Sequence, residues 1–320
     1  MVKICAFGAA SQDVFLSGHD ITTSADASGK QIEAFPLGAK INIETAIFNT
    51  GGGATNAAVT FARQGIDASF VGKIGHDAAG HAVLTELDSE HVDTSAVVYD
   101  ETLGTQYSTI LLSTSGERTI LIYRGAAHAH TPADYEQIDF THFDWIYVSS
   151  FAGAMDALHE IFTRAKEHGV KIAFNPGQAE LEKIDLLRPL LEDIDVLLVN
   201  KDEAALIVEG QTSDELVRHG HNLVPVVVVS DGPNGVTATD GTTVVTAGMY
   251  EDVPVVDRTG AGDAFGSGFV SVWAQGGTLK DAVVFASANS TSVVGSIGAK
   301  TGILHKGTQL HDMPLTEAAF

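Results

Sequence analysis

Asp263 stands directly behind three small residues, Gly260, Ala261 and Gly262, and ahead of an apolar stretch that runs toward Trp273. Glycines let backbone N–H groups come close to a ligand. At a helix N-terminus those unpaired amides, together with the helix dipole, favour an anion. A carboxylate beside such an anion site is costly unless it has a task there, and the task open to it is to take up a proton. Thr259 is placed to cap the helix, but a plain cap needs one Ser, Thr or Asp and leaves the rest of the string unexplained.

Four other places offer polar groups at spacings that suit a ligand. Asp13 follows the apolar run 2–7 and Gly8, where an open α/β sheet delivers ligand-binding residues, although a turn aspartate would read the same. Gly51, Gly52 and Gly53 open a helical stretch that carries Asn56, an amide able both to donate and to accept. Asn200 and Glu203 follow the apolar run 196–199, a spacing that suits a hydrated Mg²⁺ and equally suits an acid-favouring helix start. Ser230, Gly232 and Gly235 follow the apolar run 226–229.

The elements that must position these groups can be read from periodicity. Short apolar runs at 145–148, 170–174, 196–199 and 226–229 alternate with helical segments near 155–168, 180–192 and 203–219, the last with Thr212 and Glu215 at capping-box spacing. Such alternation predicts a parallel sheet covered on both faces, with ligands outside the carboxyl ends of its strands. A small-residue helix is expected over 279–294. Two intervals lack the helical signal. Strands are expected at 14–16, 31–34 and 41–45, and again at 107–112 and 119–123 around a turn at Ser115-Gly116, forming one small sheet from both intervals.

Composition narrows the function classes. The chain has 320 residues and a net charge of −23, with the acids dispersed, which disfavours nucleic acid and anionic membranes as partners. Phosphates must then be held by local amides or metal against an unfavourable overall field. Cys5 is the only cysteine, so no intrachain disulfide forms, and its apolar setting reads as a buried structural thiol in a cytoplasmic protein. No export segment or membrane span is expected. His128 with His130, and His219 with His221, lack the partners of a zinc site and read as surface groups. Gly8 begins no dinucleotide fingerprint, and 296–302 only approximates a P-loop, with Ala299 rather than Gly before Lys300.

The string 257–265, D-R-T-G-A-G-D-A-F, resembles the C-terminal signature of the ribokinase-like (PfkB) carbohydrate kinases, D-T-x-G-A-G-D-x-F. The stretch 51–58 is similar to the N-terminal signature G-G-x-x-x-N-x-A, and 70–80 to F-V-G-x-x-G-x-D-x-x-G, in which Gly72 and Asp77 set a turn and a helix start. The resemblance implies a three-layer α/β sandwich with a mostly parallel central sheet and a β-lid from about 14–50 and 97–124, all within one kinase domain of 320 residues. It implies an ATP-dependent kinase acting on a hydroxymethyl group of a sugar, with Asp263 as base and Gly260, Ala261 and Gly262 as the anion hole. Asp13, Gly52, Gly53 and Asn56 would hold the acceptor. Asn200, Ser230, Gly232, Gly235 and Asn289 would hold the nucleotide, Glu203 would place Mg²⁺ through water, and Asp257 with the 296–302 loop would take a monovalent cation such as K⁺. The lid would also carry a homodimer contact. A nucleoside kinase of the same family, or an idle sugar-binding protein on the kinase scaffold, are the alternatives. Four departures stand out. Arg258 replaces the usual Thr or Ser, and Ser230 replaces Thr. Asp231 lies unusually near the phosphates. Gly53 stands where some ribokinases have Lys, which favours an uncharged acceptor.

Overall fold

The computed structural model describes residues 1–113, 118–248, 250, 253–310 and 312–320. Strand Lys3–Phe7 shows why the chain builds a sheet with two covered faces. Ile4 and Ala6 pack into one apolar cluster, while Cys5 and Phe7 pack into another, because successive side chains point to opposite sides. Val226 and Val228 divide from Val227 and Val229 in the same way. Helices Gly53–Arg63, Ala261–Trp273 and Leu279–Val294 cover the first face; Met155–Glu167, Lys201–Ile207 and Ser213–His221 cover the second. Burial also pushes the Cys5 thiol well above its ordinary pKa, consistent with an inert packing role.

The large sheet has nine strands in the order Leu315–Ala319, Thr243–Ala247, Val236–Thr239, Val226–Ser230, Val196–Asn200, Lys171–Phe174, Trp145–Val148, Lys3–Phe7, Asp67–Val71. The six from Val226–Ser230 to Asp67–Val71 run parallel, and the remaining three add antiparallel pairs at one edge. A second sheet of four strands, in the order Arg118–Tyr123, Gln106–Leu112, Ser11–Ser17, Thr45–Gly51, is assembled from both of the strand-rich intervals.

Several boundaries differ from expectation. The first strand of the small sheet begins at Ser11, so Asp13 lies within a strand, opposite Asn49 on one side and Ser108 on the other. The expected strand at 41–45 begins only at Thr45, and Gln31–Glu33 pairs separately with Thr23–Ala25. The expected helix over 180–192 is broken into Gln178–Leu181, Ile184–Leu187 and a 3₁₀ segment Arg188–Asp193, where Pro189 lacks the N–H an α-helix needs. The helix over 203–219 is two helices, the second capped by Thr212 with Glu215 as its spacing predicts. The turn at Ser115-Gly116 lies outside the described residues. Among the described residues no helix is long and apolar enough to cross a membrane.

Candidate active site

The helix Ala261–Trp273 begins at Gly260, whose left-handed backbone (φ 78°) swings the chain into the first turn. A methyl group there would lie 2.4 Å from Ala299 Cβ, so only glycine fits. Gly260 therefore takes the cap position expected of Thr259, whose hydroxyl instead donates to Asp257 Oδ1 at 2.7 Å. Ala261 N–H turns back to Arg258 O at 3.3 Å, while the Gly260 and Gly262 amides have no acceptor among the described residues. Those two donors form the open end of the helix.

Asp263 follows in the first turn. Its Oδ2 accepts from Asn56 Nδ2 at 2.8 Å, and its Oδ1 lies 3.2 Å from where a methyl at Gly53 would sit. The Gly53–Arg63 helix is thus brought against the Ala261–Trp273 helix, with Gly52 and Gly53 at its head. Gly52 (φ 98°) is required too, because a methyl there would meet Ala9 O at 2.3 Å. Burial raises the Asp263 carboxyl above its ordinary pKa, with the Asn56 hydrogen bond and the Lys300 charge pulling the other way. Asn56 is buried, and its Oδ1 has no hydrogen-bond partner. A buried carbonyl oxygen without a donor is costly, so this atom is poised to accept from a bound hydroxyl.

Asp13 is buried in the small sheet, held by Ser11 Oγ at 3.2 Å and by Ser108. A methyl at Gly51 would lie 2.1 Å from Asp13 Oδ2, which explains the first of the three glycines. Burial raises this carboxyl as well, opposed by those hydroxyls and by Lys300. Lys300 is buried at 4% exposure and donates to Thr50 Oγ1 at 2.7 Å, with Glu86 Oε2 at 3.6 Å. Desolvation lowers its pKa, while Glu86, Asp13 and Asp263 resist that shift. Lys300 is thus the internal cation between the carboxylates, a role that its place in a failed P-loop did not suggest. Its signal was a lone lysine amid small residues in a lysine-poor, acidic chain.

The nucleotide-type turn lies across the helix start. Ser230, Gly232 and Gly235 line one cavity of about 240 Å³ with Arg258, Ala261, Gly262, Phe265 and Ser290. Asp231, an awkward neighbour for phosphate, is paired with Lys201 Nζ at 3.3 Å. Asn200 is the register partner of Ser230, at the adjacent strand end. It forms a reciprocal cap with Glu203: Glu203 N donates to Asn200 Oδ1 at 2.9 Å, and Asn200 N donates to Glu203 Oε2 at 2.8 Å. That commits one oxygen of each side chain. Glu203 Oε1 remains available, which suits a Mg²⁺ that keeps most of its water. Among the described residues no group of three or more His, Cys, Asp or Glu could hold a metal by itself.

The structure also locates Asn289 and Asp257. Asn289 does not reach the cavity: it is fully buried, donating to Ala264 O at 2.8 Å and accepting from Leu304 N at 2.9 Å, and so ties two helices to the C-terminal loop. Asp257 reaches the 296–302 loop through Gly298, and a guanidinium already pairs with it. Its carboxylate accepts from Thr259 N (3.0 Å), Thr259 Oγ1 (2.7 Å), Gly298 N (3.1 Å) and Arg118 Nη1 (2.7 Å). Three of these donors share Oδ1, and among the described residues Oδ2 accepts from Gly298 N alone, with Arg118 as the positive partner.

These features define a sugar-kinase type of site, and the wider comparison agrees. The chain belongs to the pfkB family of carbohydrate kinases, whose profile matches residues 1–306. It is 30% identical over 251 residues to the ATP-dependent ribose-1-phosphate kinase of Halopiger xanaduensis, spanning 78% of this chain and 82% of that one. It is 27% identical over 312 residues to the ribokinase of Bacillus subtilis, spanning 95% and 96%. The Arabidopsis thaliana ribokinase solved with ribose and ATP has the same fold, with a TM-score of 0.76 at 22% identity over 94% of this chain and 95% of that one. The protein is therefore a ribokinase-fold phosphotransferase that acts on a hydroxyl group.

Proposed function

We propose that this protein transfers the γ-phosphoryl group of ATP to a hydroxymethyl group of a sugar, with Asp263 as general base. The observation that carries the reading is the pairing of a desolvated carboxylate with a helix start whose Gly260 and Gly262 amides lack acceptors among the described residues. The acceptor hydroxyl lies against Asp263 Oδ1 at the Gly53 step, and its proton passes to that carboxylate as the oxygen attacks phosphorus. The two open amides stabilise charge on the transferred group. Asp13 and Asn56 Oδ1 accept from the remaining hydroxyls and fix the ring. Ser230, Gly232, Gly235 and Arg258 receive the nucleotide from the other side. Mg²⁺, held at Glu203 through water, would screen the ATP oxygens.

A coupled assay for ADP over pentoses, hexoses, sugar acids, sugar phosphates and nucleosides tests the reading. ADP formation with one of the sugars is expected. A nucleoside preferred over every sugar would move the assignment to a nucleoside kinase. Acceptor binding by calorimetry with no ADP from any acceptor would make the chain a binding protein.

A further inference from the structure

Five of the seven arginines hold a carboxylate or a backbone carbonyl. Arg63 meets Glu90, Arg118 meets Asp257 and Arg218 meets Asp214, while Arg164 and Arg188 donate to main-chain oxygens. Among the described residues Arg124 and Arg258 hold neither, in a chain with a net charge of −23. Each lines a cavity: Arg258 the one on the nucleotide side, Arg124 one walled by Ala9, Ser150 and Ala152. Among the described residues Arg124 reaches only His128, its Nη1 donating to Nε2 at 3.1 Å. Burial, and then the guanidinium, lower the pKa of that imidazole, against Glu180.

The Arg124 cavity shares a wall with the glycine turn ahead of Asn56. Its wall at Ala9 is the same backbone that excludes a side chain from Gly52, and Ser150 follows the Ser149 that crowds Gly53. Ala152, also in the wall, holds φ +54°, a left-handed conformation that a non-glycine residue adopts at a cost and that clusters at binding sites. The nearby acids do not claim the guanidinium. Glu180 accepts from Phe151 N, Gly153 N, Gly177 N and Ser150 Oγ. Glu182 accepts from Gln178 Nε2 at 2.9 Å.

We propose that this cavity binds a phosphate monoester on the acceptor, remote from the hydroxymethyl group, so that the acceptor is a sugar phosphate. The proposal rests on the kinase reading above and departs from the uncharged acceptor that Gly53 suggested. The positive charge that Gly53 lacks is supplied across the cavity by Arg124, whose planar fork matches two phosphate oxygens.

The test compares free ribose, ribose 1-phosphate, fructose 6-phosphate and adenosine as acceptors for wild type, Arg124→Met and Arg124→Lys. Calorimetric titration of ribose 1-phosphate without ATP runs alongside. A sugar phosphate is expected to give the highest kcat/KM, and Arg124→Met to lower that value by roughly 10–100-fold, the worth of one or two charged hydrogen bonds. Lysine should recover only part, because it cannot form the fork. A preference for ribose or adenosine, or a phosphate preference that survives in Arg124→Met, overturns the proposal. If no acceptor yields ADP, the kinase reading fails separately. Calorimetry then still decides the subsite: weaker binding to Arg124→Met upholds it, and equal binding overturns it.

Discussion

The two sides of Asp263 are built by different means. On the acceptor side, charged and amide side chains from distant segments converge: Asp13 from the small sheet, Asn56 from the helix behind the glycines, Lys300 from the C-terminal loop. On the nucleotide side the lining is mostly backbone, glycine and apolar surface, with Gly232, Gly235, Gly262, Val236 and Phe265. The first arrangement places specific charges in a desolvated setting, where one atom can decide the outcome. The second offers shape and amides, which most single side-chain changes leave intact. Single substitutions should therefore cost far more on the acceptor side.

The largest effect is expected from Asp263→Asn. The amide keeps the size of the carboxylate but cannot take the proton, so kcat should fall by about 10²–10⁴-fold while KM for ATP moves little. Stability should move the other way. The folded pKa of Asp263 lies above its unfolded value, so its stabilising contribution is present below the unfolded pKa and is lost as pH rises through the folded one. At neutral pH the ionised carboxylate burdens the fold, and Asp263→Asn should melt at the same temperature or higher. Steady-state kinetics with a melting curve check both halves. A normally folded variant that retains more than about a tenth of wild-type kcat would remove the base role.

Asp13→Ala comes next. Two hydroxyls bonded to a carboxylate are worth about 1.5–3 kcal/mol each, so acceptor affinity should fall by one to several decades, measured by calorimetry, with a smaller change in kcat. The contrast with Ser230→Ala sharpens the comparison. That change deletes one neutral hydroxyl on the nucleotide side, worth about 0.5–1.5 kcal/mol, and KM for ATP should rise only several-fold. A loss at Ser230 as large as that at Asp13 would show the nucleotide side to depend equally on side chains.

How much of this was legible in the sequence follows the same division. Groups fixed by local sequence were found: the glycine string ahead of Asp263, the Thr212 cap, the apolar strands whose ends carry Asn200 and Ser230. Periodicity also exposed the small sheet, although the Thr45–Gly51 strand began later than expected and Pro189 broke a helix. Groups whose role depends on packing between distant segments were missed or misplaced. Lys300 meets Thr50 and Glu86 from some 200 residues away or more, and no spacing rule relates them. Asn289 looked like any polar residue on a small-residue helix, and only tertiary packing reveals that Ala264 and Leu304 consume its amide. Arg118 is unremarkable on an exposed strand until the fold brings it to Asp257. The antiparallel edge that contains Val236–Thr239 and Thr243–Ala247 could have been signalled by the turn residues Asp240 and Gly241.

The smallest expected effect on turnover lies at the outer edge of the small sheet. Strand Arg118–Tyr123 is the outer strand of the small sheet, and all six of its residues are exposed. Leu121 is 58% and Tyr123 50% exposed, and alternation along the strand leaves apolar groups on both faces. An unpaired edge of this kind invites another strand, and soluble proteins usually blunt it with charge, proline or cover. We propose that a second copy of this chain supplies the cover, making a homodimer through the small sheet. Light scattering at micromolar concentration should give twice the chain mass for wild type. Leu121→Lys places a charge on the edge and should shift the protein to monomer. Because Asp263 and Asn56 belong to helices packed on the large sheet, kcat should change less than for Asp263→Asn, although the Arg118–Asp257 pair gives dissociation a route to the start of the Ala261–Trp273 helix. A monomeric wild type would end the dimer proposal and leave the edge strand in need of another explanation.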